Sequence, residues 1–204
     1  MGQSAGAADI CLLMASPMAT GLFHGAIMES GDCQGVLSKD IRSSIRYNLI
    51  SGTSESAGEQ LANDLGIADG PEVLQRLRSI PPEEILKAWR QDRQVWFDAI
   101  VDGWMLLEKP GRIFGEGRKA QLPVLVRSNA NEASVFGHND VKTVDQYKEY
   151  LSRDSGKYAD QEFQIRPAAT DADASAQCLQ LEDDSFAYGA YSMAHAMTRA
   201  GEEA

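Results

Sequence analysis

The chain has 204 residues, 30 acidic and 19 basic, for a formal net charge of −11, and 43% of it is hydrophobic. That length allows one or at most two compact domains with a real core, and the apolar share excludes wholesale disorder. The acidic balance, with its basic residues scattered, excludes nucleic acid or an anionic membrane surface as partner, since both repel a chain without a basic patch.

The three cysteines, Cys11, Cys33 and Cys178, are too few and too far apart for a disulfide framework or a zinc site, so at most one bridge is expected. The longest apolar runs, such as Ile10-Cys11-Leu12-Leu13-Met14-Ala15, fall far short of the roughly 20 residues that span a bilayer. Met1-Gly2-Gln3-Ser4 opens without the basic and apolar regions of a signal peptide. As written, the chain is expected to be soluble, and its sequence assigns no compartment and no oligomeric state.

In chain order, residues 5–15 read as a buried helix that ends before Ser16-Pro17, because a proline disfavours helical geometry in its predecessor. Ala26-Ile27-Met28, followed by Ser30-Gly31, reads as a buried strand and a turn. Ser56 and Glu59 have capping-box spacing ahead of a stripe of Ala57, Leu61, Ala62 and Leu65, with Gly66 at the C-terminal cap. Gly70-Pro71 starts a short helix carrying Val73, Leu74 and Leu77. Pro81-Pro82-Glu83-Glu84 opens another, with Ile85, Leu86 and Trp89 expected inward.

Residues 122–126 form the clearest strand candidate, an unalternating apolar run of the kind buried on both faces of a parallel sheet. Thr143 with Gln146 caps a helix carrying Tyr147, Tyr150 and Leu151, and Asp184 is placed at the start of one bearing Phe186, Ala190, Met193 and Met197, closed by Gly201. Two or three strands are legible, whereas a self-sufficient sheet has about five or six. The fold class is α/β, and the sheet is expected to be partial.

Gly2-Gln3-Ser4-Ala5-Gly6 fits G-x-S-x-G, the nucleophile elbow. Small residues on either side let the backbone cross closely, Ser4 projects from the turn, and the N–H of Ala5 at the helix start faces a developing oxyanion. Alone, the pattern is also that of an ordinary glycine-rich turn.

Its context is more specific. The run from Gly2-Gln3-Ser4-Ala5-Gly6 through Leu12-Leu13-Met14-Ala15-Ser16-Pro17, Gly21-Leu22-Phe23-His24 and Ala26-Ile27-Met28-Glu29-Ser30-Gly31 resembles the type B carboxylesterase and lipase family, which includes the cholinesterases. Leu74-Gln75-Arg76-Leu77-Arg78-Ser79-Ile80-Pro81-Pro82, Val101-Asp102-Gly103, and Leu122-Pro123-Val124-Leu125-Val126 with Asn129-Ala130-Asn131-Glu132 continue the likeness, densely to residue 136 and loosely beyond. It implies an α/β-hydrolase fold without its N-terminal strands and C-terminal part: elbow, helix and next strand over 1–31, helices over 32–120, strand and acid loop over 121–140, and helices over 141–204.

The resemblance implies a triad in the order Ser, Glu, His, with Ser4 as nucleophile, Glu132 as acid, Ala5 as an oxyanion donor and Ser30 hydrogen-bonding close to the triad. Gln3 stands where the family commonly has glutamate. Without the resemblance, Glu132 reads as a solvated loop acid. The implied substrate is a small-molecule carboxylic ester. No cofactor and no metal is expected.

A serine hydroxyl needs an imidazole to take its proton, and none of His24, His138 and His195 fits. His24 precedes the acid and occupies a position where the family carries a non-catalytic histidine. His138 follows Glu132 within the same loop. At about 100° per residue, His195 points away from the stripe of Phe186, Ala190, Met193 and Met197. The histidine, the His-Gly-Gly oxyanion loop and the strand entering the elbow are therefore expected outside this chain, which then reads as the middle piece of one more than twice as long.

Two other readings compete with an esterase segment. An esterase-like adhesion or binding module uses the same fold, but such modules usually lose the nucleophile, which Ser4 and Glu132 argue against. An unstable fragment is the other, since missing strands leave open sheet edges and exposed core. Trp89, Trp96, Phe97 and Trp104 could line a substrate gorge, although aromatics at such spacings are more often core.

Overall fold

A computed structural model of the chain describes residues 1–31, 39–40, 54–91, 99–136 and 141–199. Trp96, Phe97, His138, Cys33 and Gly201 lie outside these described residues. The chain opens on a two-residue strand, β1 (Gly2–Gln3), so the end of a strand does enter the elbow. Helix α1 (Ala5–Ala15) follows at once, and stops where Ser16 turns extended ahead of Pro17. Next come β2 (Ala26–Glu29), β3 (Lys39–Asp40), α2 (Ser54–Asp64), α3 (Val73–Ser79), α4 (Pro82–Gln91) and β4 (Ile100–Val101). The remainder is α5 (Pro110–Gly115), β5 (Val124–Arg127), α6 (Ala133–Phe136), α7 (Val144–Asp154), α8 (Ala159–Ile165) and α9 (Asp171–Arg199).

The order β1-β2-β5 makes a three-stranded sheet, parallel throughout, with Gln3 beside Glu29 and Glu29 beside Arg127. A two-residue parallel pair, β3 with β4, stands apart from it. Parallel neighbours require crossovers, and α1 supplies the first. Ala7, Cys11, Met14 and Ala15 of α1 are buried with Ala26 and Met28 of β2, Val124 of β5, Ile113 and Phe114 of α5, and Met193 and Met197 of α9.

Burial on both faces of the sheet does not hold among the described residues. Ala26, Met28 and Val124 point into the core, while Ile27 is 38% and Leu125 54% exposed. Side chains alternate along a strand, and the helices buried with this sheet cover the face that Ala26, Met28 and Val124 share.

Several helix boundaries depart from the sequence reading for identifiable reasons. Helix α2 begins at Ser54, so Ser56 sits inside its first turn and not at the N-cap position. Its other end is as expected: Gly66 takes φ 69°, and the N–H groups of Gly66 and Ile67 close onto the carbonyls of Asn63 and Ala62 at 2.9 and 2.8 Å. On α4, which packs against α2, Ala88 is buried, whereas Leu86 and Trp89 are exposed. Trp104 is exposed as well, within a turn in which Asp102 Oδ1 accepts the N–H groups of Trp104, Met105 and Leu106.

Asp184 lies in the middle of α9, where its carboxylate takes Arg166 Nη2 and, at 2.9 Å, Gln180 Nε2. The helix is capped fourteen residues earlier than Asp184 would place it: Thr170 Oγ1 accepts the N–H of Asp173 at 3.2 Å and Asp173 Oδ2 accepts that of Thr170 at 2.9 Å. At about 1.5 Å per residue, α9 is long enough to serve two cores. Met193 and Met197 join the core under the sheet, while Ala174 and Cys178 pack with Tyr147, Leu151, Val141 and Ala168.

The Thr143–Gln146 box on α7 forms in both directions. Thr143→Ala is expected to cost about 1 kcal/mol. Urea unfolding of the two proteins measures it, and an unchanged midpoint would remove the cap from the account. Cys11 is disulfide-bonded and Cys178 is a free, buried thiol.

Candidate active site

Ser4 sits between the last residue of β1 and the first of α1 with φ 53° and ψ −121°. A non-glycine residue rarely holds positive φ, and doing so costs of order 1–3 kcal/mol. Hydrogen bonds on both sides fix it. Its N–H reaches the Glu29 carbonyl at 2.8 Å, and its carbonyl accepts the N–H groups of Ala7 and Ala8 at 2.9 and 3.1 Å. Ser4 and Ala5 are both exposed at the start of α1, whose first N–H groups have no partners within the helix.

The elbow is tight on two sides. A Cβ on Gly2 would lie 2.2 Å from the Gly6 carbonyl oxygen, and one on Gly31 would lie 2.4 Å from that of Ser4. Gly6 differs from the sequence expectation, since an added Cβ there meets nothing within 4 Å. The steric demand thus falls on Gly2 and Gly31, and the second lies outside the motif.

Ser30 directly follows β2 with φ 54°, its N–H held by the Arg127 carbonyl at 2.7 Å. It is buried, and its hydroxyl donates to Glu132 Oε1. The N–H of Asn129 donates to the same oxygen at 2.6 Å, and Asn129 Nδ2 lies 3.4 Å from Ser30 Oγ. Glu132 is 6% exposed, far from the solvated loop acid that its position alone suggests.

The Ser30 hydroxyl holds the Glu132 carboxyl below the usual carboxylate range. Burial opposes this, and the Asn129 N–H and the nearby Arg127 reinforce it. Arg127 is itself paired across the sheet with Glu29 at 3.0 Å. Beneath the loop, Asp183 of α9 accepts the backbone N–H groups of Glu132 and Ala133.

Ser4, Ser30 and Glu132 therefore gather beyond the carboxyl ends of β1, β2 and β5, where open α/β sheets build their sites. The histidines do not join them among the described residues. His24 is exposed before β2, beside a cavity of about 530 Å³ that Ser16 and Pro123 also line, at the opposite end of the strands. His195 is exposed on α9 and stacked on Tyr191, with ring centroids 5.9 Å apart.

Because Glu132 has a depressed folded-state pKa, its contribution to stability is present above its unfolded-state pKa and is lost as pH falls through the folded one. Ser30→Ala removes the largest cause. The Glu132 carboxyl is expected to move up toward its ordinary value, with about 1–2 kcal/mol lost at neutral pH and less in acid. Carboxyl-carbon NMR titration follows the group directly, and a Glu132 midpoint that stays put would contradict the assignment.

Sequence reasoning did not find Asp183, which carries no spacing signal relative to Glu132. It also missed the positive φ of Ser30, for which the following Gly31 is the one local hint.

Parallel strands joined through helices, with a serine at positive φ on a strand-to-helix turn and a buried carboxylate two strands away, define part of an α/β-hydrolase fold. The sequence profile of the carboxylesterase family matches residues 1–193, and the chain belongs to that family. It is 31% identical over 188 residues to the fumonisin B1 esterase of Sphingopyxis macrogoltabida, covering 90% of this chain and 32% of that protein. With the para-nitrobenzyl esterase of Bacillus subtilis (strain 168) it shares 31% identity over 163 residues, 74% of this chain and 30% of the other.

The chain thus spans about a third of the length of the curated relatives it matches. Among solved structures, the Geobacillus stearothermophilus carboxylesterase EST55 aligns with TM-score 0.71 at 23% identity, over 98% of this chain and 40% of that one. A PNB esterase aligns with TM-score 0.67 at 25% identity, over 97% and 41%. No helix among the described residues is long and apolar enough to cross a membrane.

Proposed function

We propose that this chain carries the nucleophile and the acid of a Ser-Glu-His esterase that acts on small carboxylic esters, the histidine coming from a longer protein of which this is a segment. The observation that carries the reading is that Ser4 follows the end of β1 and Glu132 the end of β5, with Ser30, after β2 between them, bonded to the acid. The names of the curated relatives, esterases both, support it.

In the reaction, Ser4 Oγ attacks the ester carbonyl while the imidazole takes its proton. The oxyanion collects at the helix start, where the N–H of the exposed Ala5 has no acceptor within the helix. The C–O bond to the alcohol then breaks, the alcohol leaves with the proton from the imidazolium, and water repeats the sequence on the acyl-enzyme. Glu132 steadies the imidazolium. Ser30 and Asn129 both bond to Oε1, so Oε2 is the oxygen offered to the histidine.

A fluorophosphonate probe tests this on the full-length protein that carries the segment. The label is expected on Ser4, located by peptide mass spectrometry, and a protein labelled elsewhere or not at all sinks the reading. The 204-residue chain alone is expected to hydrolyse a nitrophenyl ester negligibly, for want of a base. Turnover by that chain, abolished by Ser4→Ala, would show that no outside histidine is needed.

A further inference from the structure

Glu132 is held at both of its ends. Its carboxylate meets Ser30 and Asn129, and its backbone is held from a different element. Asp183, 51 residues further along the chain, accepts the N–H of Glu132 at 2.6 Å and that of Ala133 at 2.8 Å, both on Oδ1. Ala133 opens α6, a helix of four residues whose first N–H groups need acceptors that the helix cannot supply. The alternative from within the loop is longer: Asn131 Oδ1 accepts the Ser134 N–H at 3.3 Å. Charged acceptors on backbone N–H groups make the shorter and stronger bonds of this kind.

The helix that carries Asp183 is itself fixed. Asp184, the next residue, bonds to Arg166 and Gln180, and further along α9 Met193 and Met197 are fully buried in the core that contains Cys11 and Met14 of α1. Helix α1 begins directly after Ser4. A closed frame results, running from the nucleophile through α1, the shared core and α9 to the backbone of the acid, and back through Ser30 and β2.

We infer that Asp183 is a positioning residue for the triad: by fixing the Glu132 backbone against α9, it sets where the Glu132 carboxylate stands relative to Ser4. The kinetic consequence rests on the esterase reading above, whereas the positional one does not. Misplacing a catalytic group by about 1 Å can cost on the order of a hundredfold in rate.

The test compares Asp183→Ala with Asp183→Asn in the full-length protein. Fluorophosphonate titration counts active sites, so partial unfolding is not mistaken for slow chemistry. In the alanine variant, kcat per titrated site on a nitrophenyl ester is expected to fall about tenfold to a hundredfold with KM little changed. The asparagine variant keeps an acceptor oxygen at the same place and is expected to stay within about threefold of the parent.

The amide proton of Asn129, which donates to Glu132 Oε1, is a spectroscopic reporter of the carboxylate's place. Its downfield shift is expected to survive in Asp183→Asn and to be lost in Asp183→Ala. Should the alanine variant not fold, Asp183→Ser, too short to reach both N–H groups, takes its place with the same expectations. An unchanged kcat per site in the alanine or serine variant overturns the inference, as does an asparagine variant as slow as they are. If the parent protein neither labels nor turns over, the esterase reading fails, and the Asn129 signal decides alone: a signal unmoved by Asp183→Ala overturns the positioning role.

Discussion

In the full-length protein, Ser4→Ala is expected to lower ester turnover by a factor on the order of 10⁴ or more and to abolish fluorophosphonate labelling, with the melting temperature unchanged. The first part follows from the mechanism proposed above: without Oγ no acyl-enzyme would form, and only binding and the oxyanion donors would remain to assist water. The second follows from the geometry. Ser4 is exposed, its side chain caps nothing, and alanine keeps the Cβ, so neither packing nor backbone strain changes. Ser4→Gly separates the two effects further. Glycine relieves the positive φ of 53° and is expected to stabilise the protein by about 1 kcal/mol while remaining equally inactive. Parallel thermal melts and ester assays check both, and a Ser4→Ala enzyme that keeps a tenth of its activity would remove Ser4 from the mechanism.

How much of this was legible in the sequence depends on the range over which each feature is decided. Helix α1, the cap at Thr143 and the turn at Gly66 are settled by neighbours within one or two turns, so spacing alone finds them. Boundaries failed where a distant partner claimed a local signal. Asp184 has the look of an N-cap, but Arg166 of the preceding segment takes its carboxylate, and α9 runs through it from a cap at Thr170.

The site divides in the same way. The elbow is a local motif of five residues, and the flanking runs to Gly31 separate it from an ordinary glycine-rich turn. The burial of Glu132 is not local, because it depends on Ser30, 102 residues earlier, and on Asp183 behind the loop. A resemblance to a family conveys such long-range placement, whereas periodicity and composition do not. The open face of the sheet was missed for a related reason, since an apolar run such as residues 122–126 reports how apolar a strand is and not what lies against each side of it.

The two glycines of the elbow motif are expected to respond oppositely to alanine. On Gly2 the new Cβ would stand 2.2 Å from the Gly6 carbonyl oxygen, 2.5 Å from its carbon and 3.0 Å from the Ala7 nitrogen. All three are backbone atoms of the first turns of α1, so no side chain can rotate away. The helix has to move off β1, which strains the bonds from Ser4 to Glu29 and from Ala7 and Ala8 to Ser4. Forcing such an overlap in packed structure costs about 1–3 kcal/mol or more. Because the shift is centred on Ser4, the proposed nucleophile, labelling there is expected to slow by about a hundredfold.

Gly6 lies in the first turn of α1, where an added Cβ meets nothing within 4 Å. There alanine brings only its better helix propensity, expected to stabilise the chain by about 0.5–1 kcal/mol. Urea unfolding of the two variants gives the sign of each change, and labelling rates in the full-length protein give the consequence for the site. Equal destabilisation by both substitutions would mean that the close approach at the elbow involves Gly6 as much as Gly2, and that the crossing of β1 over α1 is not the one described.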